Sequence, residues 1–212
     1  MSLAPVEDVA ASDGAAAEGL TYAYQPRLGG AGTRLTLDGD ELGFAVGPRE
    51  GRLDLRDVSG VRLVFQPAKF AHASFEMRLR TWDGRRLKLG SVSRVSLTGV
   101  RDQGAEYAAF VRALHERLAR LGASGAIRGH PPVAFTGGFS HLRWWVTAAV
   151  GLAALAVMVG VLGFALIDRQ WVVAAFIAAL SAFTALPMVE MISRNKPVIY
   201  RPDQIPPQLL PG

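Results

Sequence analysis

The sequence predicts an α+β soluble domain followed by a two-helix transmembrane hairpin, on three observations. Two apolar runs without a charged residue, 144–167 and 171–189, lie near the C-terminus. Upstream of them, several short segments alternate apolar and polar residues, the pattern of half-buried strands. One stripe of apolar residues at helical spacing then ends the upstream region. We therefore expect an antiparallel β-barrel or a curved sheet with one C-terminal helix, and the hairpin after it.

The strands pair in a register that the apolar residues set. Arg34 to Leu37 alternates, a turn follows at Asp38 to Glu41, and a four-residue loop there places Leu37 opposite Leu42. The other apolar strand positions are Leu35, Phe44, Val46, Val61, Leu63, Phe65, Phe75, Met77 and Leu79. In this register, the apolar side chains of the paired strands all face the same core.

The turn at Asp83 and Gly84 needs three loop residues. A two-residue turn would place Leu79 opposite Lys88 and mix the two faces of the hairpin. A loop of residues 82–84 with Gly84 in the left-handed position shifts the register by one, so Leu79 meets Leu87. The apolar pattern requires this second register.

A helix is expected from about Asp102 to Leu121. Asp102 is a suitable N-cap, and Gly122 is a suitable stop. The apolar stripe consists of Tyr107, Phe110, Val111, Leu114, Leu118 and Leu121. We interpret His115, on the same helix, as a surface or boundary residue.

The two C-terminal runs are each long enough to cross a hydrocarbon core of roughly 30 Å at about 1.5 Å per residue. Residues 168–170 alone separate them, so the second helix must return antiparallel. A pair of buried helices in a soluble core is the alternative, but helices this uniformly apolar are uncommon in a chain of 212 residues. Trp144, Trp145 and Trp171 stand at run ends, where indoles favour the headgroup level.

Flanking charge predicts the orientation. Five cations flank the runs on the side of the termini: Arg128, Arg143, Arg194, Lys196 and Arg201. The hairpin tip has one arginine beside one aspartate, so both termini are expected in the cytoplasm. The chain has no cysteine, and its 20 arginines against 3 lysines are typical of bacterial genomes rich in GC. We expect a multi-pass protein of a bacterial inner membrane.

The chain divides into five stretches. Residues 1–19 are acidic and rich in alanine, and we expect them to be disordered. Residues 20–121 form the domain, residues 122–143 read as a Gly/Pro-rich tether, and residues 144–190 form the hairpin. The proline-rich tail, 191–212, is expected to be extended and cytoplasmic.

The order of a strand meander and one C-terminal amphipathic helix resembles a pleckstrin-homology-type (PH-like) domain. The whole chain resembles bacterial proteins that join such a domain to a membrane hairpin. The resemblance covers residues 20–121 in topology and residues 144–189 in hydropathy, and it implies a binding or scaffold module. Another small β-barrel, or a half-open sheet with one helix, fits the same pattern.

Four cations share one outward face in the predicted register: Arg78, Arg80, Arg86 and Lys88. We call this set the basic face. Like charges opposite one another on a strand pair are destabilising in isolation. One interpretation is a solvated face whose cations pair with the acidic half of the same domain. The other is an anionic ligand, most simply phospholipid headgroups.

Catalytic, cofactor and metal sites are not expected. Gly30-Ala31-Gly32 starts like a dinucleotide-binding motif but precedes a strand, and the four histidines lack ligand spacing. No serine, histidine and aspartate arrangement stands out. The net charge of +5 fits a neighbour of anionic lipid as well as it fits nucleic acid, and we expect no nucleic acid as a partner.

Small residues recur in the hairpin at the spacing that lets helices approach closely: Ala156, Gly160, Ala174, Ala178 and Ala182. They pack either the hairpin against itself or a partner helix, including a second copy. The expected function is binding or scaffolding without catalysis at the cytoplasmic face of the membrane. The alternative is an accessory or assembly subunit of a larger membrane complex.

Overall fold

A computed structural model describes residues 19–26, 32–67, 73–94, 99–128 and 132–211. The disorder expected for residues 1–18 therefore lies outside the described residues. The first sheet is an antiparallel meander of four strands in chain order. They are β1 (Leu20–Tyr24), β2 (Thr33–Asp38), β3 (Glu41–Val46) and β4 (Arg49–Asp54). Leu37 lies opposite Leu42, and Leu35 lies opposite Phe44. The predicted register of this first hairpin is therefore confirmed.

The second sheet is built on β5 (Val58–Gln66), β6 (Ser74–Thr81) and β7 (Arg86–Gly90). Leu79 pairs with Leu87, as the three-residue loop requires. Gly84 has a φ of 86°, which a residue with a side chain rarely adopts. A short 3₁₀ helix at Leu55–Asp57 joins the two sheets, and a separate ribbon of two strands follows β7. The ribbon consists of β8 (Val92–Arg94) and β9 (Val100–Asp102).

The helix α1 spans Gly104–Ala123 and covers the core between the sheets. Asp102 Oδ1 accepts a hydrogen bond from the Gly104 amide at 3.0 Å, so Asp102 supports the helix start from two residues before it. All six residues of the predicted apolar stripe are buried. The helix prediction is confirmed, with its ends two residues later than expected.

The stretch expected to be a tether is part of the fold. Strand β10 (Ala134–Gly137) pairs in parallel with β5, so that Phe135 lies opposite Val61. Before it, the Arg128 guanidinium contacts Asp54 and Asp57, each at 3.2 Å. Glycine and proline dominate the composition here, but the buried ring of Phe135 needs a place in the core, which favours docking over a free linker.

The proline-rich tail also packs on the core. Strand β11 (Val198–Ile199) adds antiparallel to β10, so the second sheet is mixed and its order is β11-β10-β5-β6-β7. A 3₁₀ turn at Pro207–Leu209 follows, where a wholly extended chain was expected. Tyr200, Leu209 and Leu210 are buried. The domain core thus includes residues from both sides of the hairpin.

The hairpin consists of α2 (His141–Ile167) and α3 (Trp171–Arg194), two helices that are long and apolar enough to cross a membrane. They pack antiparallel, and the side chain of Met188 lies over Gly151, where a Cβ atom would come within 2.6 Å of its sulfur. Most of their apolar side chains are exposed, unlike those of buried core helices.

The sheets and helices confirm an α+β fold, but a PH-like barrel is not confirmed. Neither sheet closes on itself among the described residues, and each remains an open sheet around the shared core. The last strand of the second sheet, β7, ends it as an open edge. The half-open sheet with one helix is the closer description.

Candidate functional site

The hairpin joins the second sheet through the side chain of Asn195, which is fully buried. Its Oδ1 accepts a hydrogen bond from the Phe65 amide at 3.0 Å, and its Nδ2 donates to the Phe65 carbonyl at 2.7 Å. These are the two bonds that a neighbouring strand residue would make. The Asn195 carbonyl also accepts from the Phe139 amide at 3.0 Å. The end of α3 therefore continues the sheet past β10.

The start of α2 is held beside the end of α3. Gly138 has a φ of 72°, and a Cβ atom there would lie 2.4 Å from the Asn195 carbonyl oxygen, so glycine is required. The Trp144 indole N–H donates to the Ile192 carbonyl at 2.9 Å, which joins the first turn of α2 to the last turns of α3. Ser140 caps α2. Both ends of the hairpin are thus fixed to the sheet.

The strand directions set the distance of each residue from the hairpin. Because β5 reaches Asn195 at Phe65, the second sheet has a hairpin end at Gln66, Ser74 and Gly90. Arg80 and Arg86 pair with each other at the far end. Arg80 lies opposite Gly60, five residues before Phe65, which corresponds to about 17 Å along the strand.

The basic face is present in the predicted register but is not uniformly cationic. Arg78 pairs with Lys88 across the strands, and Arg80 pairs with Arg86. The Glu76 carboxylate, on the same face, forms ion pairs with Arg78 and with Lys88, the latter at 3.2 Å. Among the ion pairs of the described chain, none involves Arg80 or Arg86, and both side chains are exposed. The uncompensated charge is therefore at the far end.

A groove of about 710 Å³ runs along the open edge of β7. The first sheet contributes Tyr24, Thr33 and Val46 to its lining, and the hairpin end of the second sheet contributes Gln66 and Ser74. Strand β7 contributes all of its residues, 86–90. The groove thus combines an open strand edge, two members of the basic face and apolar side chains.

Two tyrosines occupy part of this edge. The Tyr24 hydroxyl donates to the Lys88 carbonyl at 2.9 Å, and the Tyr22 hydroxyl donates to the Gly90 carbonyl at 2.6 Å. Burial raises the pKa of both tyrosines above its ordinary value, so both remain neutral donors. Since the N–H and C=O of one strand residue point to the same side, the Arg86, Lys88 and Gly90 amides face the groove as well.

His115 is fully buried, and the expectation of a surface or boundary residue is wrong. Its Nδ1 lies 2.7 Å from the Val111 carbonyl oxygen and must donate to it, so its Nε2 accepts from the Tyr200 hydroxyl at 3.0 Å. Burial lowers the pKa of His115 to about 4. The histidine links α1 to the tail as a neutral group. Residues four apart lie on the same face of a helix, so the position of His115 four residues after Val111 in the apolar stripe was the signal in the sequence for its burial.

The small residues of the hairpin are divided between two faces. Ala174 is buried against α2, whereas Ala156, Gly160, Ala178 and Ala182 are exposed. No atom comes within 4 Å of a Cβ built on Gly160. Gly151 and Met188 form the contact between the helices instead. The outward small residues are therefore open to lipid or to another helix.

Within the described part of the chain, no three histidine or acidic side chains are grouped closely enough to hold a metal ion. Two further grooves there are smaller, and one of them lies between α1 and the tail. No protein-family model, curated protein or solved structure matches this chain. The groove beside β7 is accordingly the candidate site on its geometry alone.

Proposed function

We propose that this chain is a binding or scaffold module without catalytic activity, which presents a PH-like domain at the cytoplasmic face of a bacterial inner membrane. The hairpin would span that membrane twice and leave both termini in the cytoplasm. The apolar helices and the cationic flanks of the hairpin support this topology. A strand meander followed by one amphipathic helix supports the PH-like assignment, although the sheets are open.

The observation that carries the proposal is the fixed junction at Asn195. Six residues, or about 9 Å of helix, separate Asn195 from Val189 at the end of the apolar run. The sheet would then lie at headgroup level with its groove at a constant height and angle. A fixed orientation relative to the membrane suits a module that binds its partner at the membrane surface.

Anionic lipid remains a proposed ligand of the basic face, but its four residues are not equal. Arg80 and Arg86 lie about 17 Å farther from the hairpin than Phe65, beyond the Debye length of about 8–10 Å. Arg78 and Lys88 are nearer but share Glu76. Arg194 at the junction pairs with Glu190, so attraction to lipid would come mainly from Arg143 and Lys196 there. Arg80 and Arg86 stay available to a protein.

Site-specific photo-cross-linking in living cells tests the proposed function. A photoreactive residue at Val46, which lines the groove, should yield a discrete cross-linked protein. The same residue at Arg52, on the first sheet outside the groove lining, is the matched control and should yield none. Equal products from both positions, or none from Val46, would refute a binding role for the groove.

A second function, accessory or assembly subunit of a membrane complex, is favoured by the outward small residues Ala156 and Gly160. A photoreactive residue at Val159, exposed on the same helix, tests it. Cross-links at Val159 together with stoichiometric partners in mild detergent would favour the subunit. Cross-links at Val46 alone would favour the binding module.

A further inference from the structure

The open edge of β7 offers backbone donors that the described part of the fold leaves unused. Arg86 and Lys88 direct their amides away from β6, and no hydrogen bond from these two amides is present there. The Gly90 amide, in contrast, interacts with the Tyr24 hydroxyl. The two tyrosine hydroxyls donate to the carbonyls of Lys88 and Gly90. Unpaired strand edges are templates for another strand. Here the edge lies inside the groove of about 710 Å³.

Charge indicates what kind of segment fits. Arg86 and Lys88 project on one face of β7 beside Arg80, while Leu87 and Leu89 project on the other. Glu76 also lines the groove and pairs with Lys88, so the uncompensated charge of the lining belongs to Arg86. In the first sheet, Val46 is 37% exposed at the groove wall. A segment added to β7 would place alternate side chains beside the cations and the others beside Leu87 and Val46. Acidic residues alternating with apolar residues match both faces.

We propose that the groove binds an extended acidic segment of a partner protein, which adds as a short strand to the open edge of β7. This inference rests on the proposed binding function and names the chemistry of the partner. Backbone hydrogen bonds to the free amides supply affinity, and the cations select acidic side chains. The tyrosine hydroxyls limit the pairing to the part of the edge they do not occupy.

The test uses the full chain in nanodiscs of neutral phosphatidylcholine and a fluorescein-labelled peptide in which glutamate and valine alternate. Fluorescence polarisation should show saturable binding of this peptide and none of the version with lysine for glutamate. Arg86→Gln should weaken binding about threefold, since one partly exposed charge pair is lost. Arg52→Gln, on an exposed position of β4 away from the groove lining, is the matched control and should leave binding unchanged.

Amide hydrogen exchange across residues 86–90 distinguishes strand addition from charge attraction. Exchange there should slow when the glutamate peptide is bound, and unchanged exchange would overturn the strand. Binding of both peptides alike, or of neither, would overturn the acidic partner. Loss of peptide binding in nanodiscs with phosphatidylglycerol would assign the cations to lipid instead. If Val46 still cross-links to a cellular protein after such a result, the proposed function stands and this inference alone fails.

Discussion

The two edges of the β5-β6-β7 meander, the central part of the second sheet, are covered to different extents. On the β5 side, the chain adds β10, β11 and the Asn195 side chain, so that backbone groups are paired as far as Phe65. On the β7 side, two tyrosine hydroxyls bond to the edge, and a groove remains. The closed edge is where the hairpin attaches. The difference teaches that the junction with the hairpin and the open groove lie on opposite sides of one sheet.

Disrupting the cover of the closed edge should have the largest effect. Leu209 is 1% exposed, and its side chain packs on Gly137 of β10. Leu209→Asp would bury an unpaired carboxylate and should cost several kcal/mol of the free energy of unfolding. Pulse proteolysis in detergent measures this. Gln208→Asp, at the exposed neighbouring position, is the control, and an equal loss in both variants would contradict the packing.

Asn195→Ala should be the next most damaging change. It removes two bonds to Phe65 and leaves a buried amide and carbonyl unsatisfied, at a cost of about 2–4 kcal/mol. Spin labels at Arg52 and Arg169 should show a narrow distance distribution in the parent and a broad one in the variant. Ser193→Ala is the control. A distribution as narrow in Asn195→Ala as in the parent would show that the junction is rigid without this side chain.

The closed edge should also weaken in acid through His115. Its pKa in the folded state, about 4, lies below the unfolded value of 6.5, so the unfolded chain binds the proton more readily. Stability is therefore complete above about pH 6.5 and falls as the pH drops toward 4, by about 3 kcal/mol in all. Urea unfolding across this range measures the slope. His115→Gln should flatten it, and a slope that persists would assign the proton uptake elsewhere.

A substitution at the open edge of β7 should reduce the free energy of unfolding least. Tyr24→Phe removes one hydroxyl from the Lys88 carbonyl and should cost about 1 kcal/mol, because the freed carbonyl lies in a groove that water can enter. Urea unfolding checks the value. Tyr200→Phe, which leaves His115 Nε2 without its buried donor, should cost more. The reverse order would mean that the tyrosines close the β7 edge as firmly as β10 closes the other.

The sequence predicted those parts of the fold that periodicity controls. The alternation around Leu79 and the glycine at position 84 set the register of β6 and β7 without ambiguity. The stripe of α1 did the same for the helix. The position of Glu76 on the basic face could also be predicted, because a residue two positions before Arg78 on a strand shares its face.

Strands β10 and β11 were missed because four and two residues are too short to show an alternating pattern. Their flanks are rich in glycine and proline, so composition indicated a linker. Asn195 was missed for another reason. A side-chain amide that bonds to the backbone of a residue 130 positions away leaves no local pattern in the sequence. The β7 groove depends on how two sheets face one another, which pairing rules do not determine.

Because the tail completes the core, the domain is split in the order of synthesis. Phe135 emerges from the ribosome before the hairpin, whereas Tyr200 and Leu209, which bury this part of the fold, emerge after it. The domain can reach its final state only when the second helix has returned the chain to the side where the first began. In a chain inserted with one helix only, Tyr200 and Leu209 could not reach the core, and the hydrophobic surface around Phe135 would stay exposed to proteases. Completion of the fold would therefore depend on correct insertion of both helices. In a series of ribosome-arrested chains, full protease resistance should appear only once Leu209 has emerged, and earlier resistance would refute this coupling.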